Sequence, residues 1–196
     1  MFHAVHFERR GSNCGSELSM MNELPQLRMR HFLKEFQPLR SMPEGYVLRE
    51  ASEGDAIGIA AVLESSFLDR WSEERVMNEL LENVGVPETY IVEANGVVVG
   101  TASYQHQKDP DPEAGWLHYV GVLPEARGFG LGEVLSQRVL IEALARGNSS
   151  VYLTTDDPRV PAIKTYLKLG FKPDNWHESH EARWLAIRAQ LRGASS

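Results

Sequence analysis

Between Val120 and Gly132 the chain reads Val-Gly-Val-Leu-Pro-Glu-Ala-Arg-Gly-Phe-Gly-Leu-Gly, an apolar run that passes through a proline into three alternating glycines. Glycine lets backbone approach an anion closely, and the free N–H groups at a helix start, at the positive end of its dipole, attract phosphate. The segment therefore reads as a pyrophosphate cradle, with Arg127 as a fixed cation beside it. The next two residues exclude two other phosphate loops. A P-loop needs Lys and then Ser or Thr after its last glycine, where this chain has Glu133 and Val134. The dinucleotide pattern G-x-G-x-x-G needs glycine at Glu133. On these residues alone, a tight strand-to-helix turn with no ligand is an equal reading.

A second run, Ala162-Ile163-Lys164-Thr165-Tyr166-Leu167-Lys168-Leu169-Gly170-Phe171, is a short helix followed by Gly-Phe. Ala162 and Tyr166 are four residues apart and share a face. The two runs together resemble the GNAT superfamily of N-acyltransferases. Its CoA loop, Gln/Arg-x-x-Gly-x-Gly/Ala, is matched by Arg127, Gly130 and Gly132. Its later helix, Ala-x-x-x-Tyr-x-x-x-Gly-Phe, is matched by Ala162, Tyr166, Gly170 and Phe171. The resemblance covers about residues 46–171 and is sharpest over the last third.

The resemblance implies an acetyl-CoA-dependent N-acetyltransferase that passes an acyl group to a primary amine by direct attack on the thioester. Arg127, Gly128, Gly130, Leu131 and Gly132 would bind the CoA pyrophosphate. Val120 and Val122 would pair their main chain with the pantetheine arm where two parallel strands splay apart, and a strand N–H such as that of Val122 would face the oxyanion. Tyr166 matches the tyrosine near the CoA sulfur, a general acid for the leaving thiolate; a core tyrosine is its other reading. His118 has a pKa near neutrality and lies on the strand entering the site, which makes it a candidate base. Alternation puts Trp116, His118, Val120 and Val122 on one face. A cleft histidine, with the amine losing its proton through water, explains it equally well. The alternative at the level of function is a non-catalytic acyl-CoA-binding regulatory module.

Two departures stand out. Many relatives have Asn where this chain has Arg159, a residue long enough to reach a phosphate. After Phe171 the final strand of the family is lost or very short. Glu178, Ser179 and His180 read as an exposed or cleft-lining turn, since three adjacent residues on a bend seldom converge on one atom. Phe67, Trp71, Tyr104, His106, Trp116 and Trp176 are candidate walls for the acceptor, with about half of them expected in the core, and Asp156 and Glu178 are candidate attractors for a cationic amine.

These residues need elements to hold them. Tyr46–Arg49 reads as a strand, and Ala56–Phe67 as a helix with Ile57, Ala60, Ala61 and Leu63 on one face. Ser72 starts a second helix that ends near Gly85. Asn95-Gly96 joins Tyr90–Ala94 and Val97–Tyr104 in a hairpin. Trp116–Leu123, Leu131–Arg146 and Val151–Thr154 are strand, helix and strand. Asp157 reads as an N-cap with Pro158 at the first helical position, and Gly170 as the stop at Leu169. The fold class is α/β: a mixed, mostly antiparallel central sheet flanked by helices, with splayed parallel strands at the CoA site. Residues 43–196 form the domain, with a C-terminal helix at about 181–191. Residues 1–42 are an extension, flexible over the first twenty and with a short helix from Leu27 to Phe36.

The whole chain has 196 residues, 42% of them hydrophobic, and a net charge of −7. That suits one globular domain and argues against a nucleic-acid partner, which needs a basic surface. A single cysteine, Cys14, excludes an intrachain disulfide, and no metal is expected. No apolar stretch approaches membrane-spanning length. The expectation is a cytoplasmic monomer or homodimer acting on a small-molecule or peptide amine.

Overall fold

The structure, a computed structural model, describes residues 24–34, 40–67 and 69–193. The tail read as flexible and Cys14 lie outside them. The first element corrects an expectation: Leu27–Phe32 is a strand, β1, and no helix starts at Leu27. Leu27, Met29 and His31 are buried, while Arg28 and Arg30 alternate with them and pair with Asp174 and Asp111 at 2.7 and 2.8 Å. A period of two is a strand's signature.

Further along come β2 (Tyr46–Glu50), α1 (Ala56–Phe67) and α2 (Glu73–Val76), which continues as a π-helical turn over Met77–Leu81. Next are β3 (Glu88–Ala94), β4 (Val97–His106), β5 (Gly115–Val122), α3 (Leu131–Ala145) and β6 (Ser150–Thr155). The chain continues through α4 (Val160–Lys168), β7 (Lys172–Asp174) and α5 (His180–Gly193). Seven strands form one sheet in the order β2-β3-β4-β5-β6-β1-β7. All neighbours are antiparallel except β5 and β6. The sheet thus takes a strand from the segment read as an extension and seats it between β6 and β7.

Local chemistry explains most boundaries. Asn95 and Gly96 have φ of +50° and +79° and turn β3 into β4. The Ser72 hydroxyl accepts the Arg75 N–H and caps α2. At α4 the expectation fails: Arg159 occupies the N-cap and Pro161 the first turn. The Asp157 carboxylate is taken by the Arg183 guanidinium of α5, with Nε at 3.0 and 3.1 Å. In α1, Ile57 is 66% exposed, so the buried face is carried by Ile59, Ala60, Val62 and Leu63.

Two apolar clusters lie on opposite faces of the sheet. On one, Leu131, Leu135 and Val139 of α3, Ile163 and Tyr166 of α4, and Trp184 and Ile187 of α5 pack over Met29, Leu117 and Leu153. On the other, Ile59 and Leu63 of α1 pack with Trp71, Leu80 and Ile91.

Candidate functional site

The site is a gap in the sheet. β5 and β6 pair only at Gly115 with Val151 and Trp116 with Tyr152. Beyond Trp116 the strands part, which frees one edge of β5 from His118 to Val122. An irregularity sharpens this. Tyr119 has φ of +47°, and the register against β4 slips, since His118 faces Ser103 but Gly121 faces Thr101. One extra residue is therefore inserted in β5, a β-bulge. It breaks the alternation expected for this strand: Val122, opposite Gly100, packs with Val120 and Leu117 towards α3, and His118 points to the other face.

A cavity of about 720 Å³ opens at the gap. Val120, Val122, Arg127, Gly128, Gly130, Leu131, Gly132 and Tyr166 all line it, bringing the glycine turn, the free strand edge and α4 to one place. His118 is not among its lining residues. Its ring lies 3.8 Å from that of Tyr119, and burial lowers its pKa to about 4. The imidazole is neutral at ordinary pH and holds a proton weakly.

Gly130 is the N-cap of α3 at φ of +79°, a left-handed conformation that side chains avoid. Gly132 is different. It sits in the first turn of α3 without a positive φ, and a Cβ there would meet nothing nearer than Val122 Cγ2 at 3.9 Å. The fold itself therefore does not demand glycine at 132, whereas a phosphate seated close to the backbone would. Leu131 and Gly132 open the helix, where N–H groups have no carbonyl four residues back.

Tyr166 is 6% exposed, beside Phe171 with ring centroids 5.9 Å apart. Burial raises its pKa, with Arg159 pulling the other way, so the hydroxyl keeps its proton. Sequence reasoning misses several lining groups. Ser66 Oγ of α1 is buried without a hydrogen-bond partner among the described residues. Glu133 and Lys164 also line the cavity. Arg159 does not reach for the α3 turn. It donates to the Val120 carbonyl at 3.3 Å and lies over the Phe67 ring at 4.2 Å. Arg127 Nε likewise donates to the Val122 carbonyl at 3.1 Å.

The candidate acceptor walls separate. Phe67 and Trp71 pack on Tyr119 beside the gap. Tyr104 and His106 line another cavity, where the Tyr104 hydroxyl donates to Asn148 at 2.7 Å. Trp116 packs at a tilt on buried Tyr152, and Trp176 meets His180 edge to face. His180 is buried rather than exposed, and Ser179 Oγ bonds His177 Nδ1 at 2.9 Å, so Glu178, Ser179 and His180 form no catalytic set. Asp156 accepts from Gln26 at 3.0 Å.

A mostly antiparallel sheet opened at one parallel pair, with a glycine turn leading into a helix at the opening, defines a class. The chain belongs to the Acetyltransferase (GNAT) family, whose model matches residues 57–171. It is 31% identical over 154 residues to a mycothiol acetyltransferase of Thermobispora bispora, covering 74% of this chain and 52% of that one. A mycothiol acetyltransferase of Tsukamurella paurometabola is 28% identical over 171 residues, covering 80% and 57%. The chain thus spans about half the length of these curated relatives. Among solved structures, a GCN5-related N-acetyltransferase from Sphaerobacter thermophilus superposes with a TM-score of 0.62 at 24% identity, covering 77% of this chain and 50% of that one. Among the described residues no helix is long and apolar enough to cross a membrane.

Proposed function

We propose that the protein is an acetyl-CoA-dependent N-acetyltransferase. One observation carries this reading: the glycine turn, the unpaired edge of β5 and the Tyr166 side chain line a single cavity. The donor's pyrophosphate rests on the N–H groups at the start of α3, beside Arg127. Its pantetheine arm runs along Val120 and Val122, whose carbonyls are held by guanidiniums that an amide of the arm can replace. The acceptor amine enters from the side of α1, past Phe67 and Ser66. Its nitrogen adds to the thioester carbon, and a strand N–H stabilises the oxyanion. The intermediate then collapses with cleavage of the C–S bond, the thiolate takes the Tyr166 proton, and the amine gives up its own proton to water, from which Tyr166 is reprotonated. The amine's proton goes to water because His118 is not among the residues that line the cavity.

The test is release of free thiol from acetyl-CoA over a panel of small amines, amino acids and peptides. Because the curated relatives are named mycothiol acetyltransferases, a mycothiol-type acceptor belongs on that panel. Thiol release that depends on an amine, with the acetylated amine as product, is expected. Binding of acetyl-CoA with no turnover on any acceptor would instead support a regulatory acyl-CoA-binding module.

A further inference from the structure

The cradle has a cation that the glycine motif does not include. Arg40, ahead of β2, is seated on α3 through its main chain: its N–H donates to Oε1 of buried Gln137 at 2.8 Å. From there its guanidinium reaches back over the turn. A Cβ at position 130 would stand 2.6 Å from Arg40 Nη1 and 2.8 Å from Cζ. The same Nη1 bonds Glu133 Oε2 at 3.1 Å, and Lys168 Nζ bonds that oxygen at 2.8 Å. Glu133 is a carboxylate in the wall of a cavity that has to receive phosphates, and alone it would repel them. Burial pushes its pKa up, yet Lys168 and Arg40 outweigh that and keep it below its usual value. The carboxylate thus stays ionised and pairs with two cations that stand beside the cavity, outside its lining.

We propose that Arg40 is a ligand of the donor's pyrophosphate, a guanidinium held by Glu133 over the Gly130 turn so that it meets the phosphate from outside the glycine motif. This rests on the acetyl-CoA reading above. Arginine presents its N–H groups as a planar fork, so one guanidinium can face Glu133 and a phosphate oxygen together. Glu133 is then a positioning residue whose charge opposes the ligand while its geometry aims the arginine.

Calorimetric titration of the full chain with CoA, 3′-dephospho-CoA and phosphate-free pantetheine separates the possibilities. Arg40→Ala keeps the main-chain bond to Gln137, so the fold is expected to survive. It should weaken CoA about tenfold or more, weaken 3′-dephospho-CoA by the same factor, and leave pantetheine unchanged. The KM for acetyl-CoA should rise with it, and Arg40→Lys should recover part of the loss. Equal CoA affinity in wild type and Arg40→Ala would overturn the proposal. A loss confined to CoA would do so as well, by moving the contact to the 3′-phosphate. A wild-type protein that binds no CoA would overturn the donor reading itself.

Discussion

Tyr166 and His118 read as acid and base in the sequence, and the fold treats them differently. Tyr166 lines the cavity, and burial raises its pKa, so its hydroxyl keeps its proton; the proposed mechanism makes it the donor to the leaving thiolate. Tyr166→Phe should lower kcat by about 10²-fold, the lower end of general acid catalysis, with the affinity for acetyl-CoA and the melting temperature almost unchanged. An unchanged kcat, with chemistry limiting the rate, would make it a packing residue. His118 takes up a proton near pH 4 in the folded protein, whereas an unfolded histidine does so near 6.5. Between those values the unfolded chain binds more protons, so stability falls as pH drops through that window. His118→Gln should flatten that part of the melting temperature against pH. It should also leave the pH profile of kcat/KM unchanged above pH 5. Loss of a limb there, with a fall of ~10²-fold, would restore His118 as the base.

At the scale of elements, what the sequence conveys depends on how local each signal is. Asn95-Gly96, Ser72 and Gly170 act within a few residues, and the hairpin, cap and helix stop lie at the expected positions. β1 reads as a helix because its arginines suggest a solvated helix face. Yet Leu27, Met29 and His31 alternate with Arg28, Arg30 and Phe32, and only the acidic partners 146 and 81 residues away make those arginines fit a sheet. The bulge at Tyr119 has no residue signature, and it puts His118 on the face opposite Val120 and Val122. Arg40 is invisible in the sequence for a related reason: its contacts lie 93 and 97 residues along the chain. β1 as a core strand makes a direct prediction. Met29 is fully buried between β6 and β7, so Met29→Ala should cost about 2–5 kcal/mol in urea unfolding. A cost well under 1 kcal/mol would mean that β1 is peripheral.

Over the whole molecule the charge is −7, yet Arg127, Arg159 and Lys164 line the cavity, and its carboxylate Glu133 is paired with Arg40 and Lys168. A local positive field on an acidic protein suits a polyanionic ligand and should weaken with salt. The central claim is that this ligand is acetyl-CoA, seated on the first turn of α3. Gly130 is a poor place to test it, because any side chain at its φ of +79° is strained. Gly132 is a clean one, with room for a Cβ and a position at the helix start where an acidic residue is favourable. The decisive measurement is the melting temperature of wild type and Gly132→Glu, each with and without acetyl-CoA. At a hundredfold excess over Kd the ligand contributes about 2.7 kcal/mol, so wild type should rise by roughly 5–10 °C. Gly132→Glu should melt like wild type without ligand and show no rise with it. An equal rise in both proteins, or none in wild type, would contradict a donor site at the α3 turn.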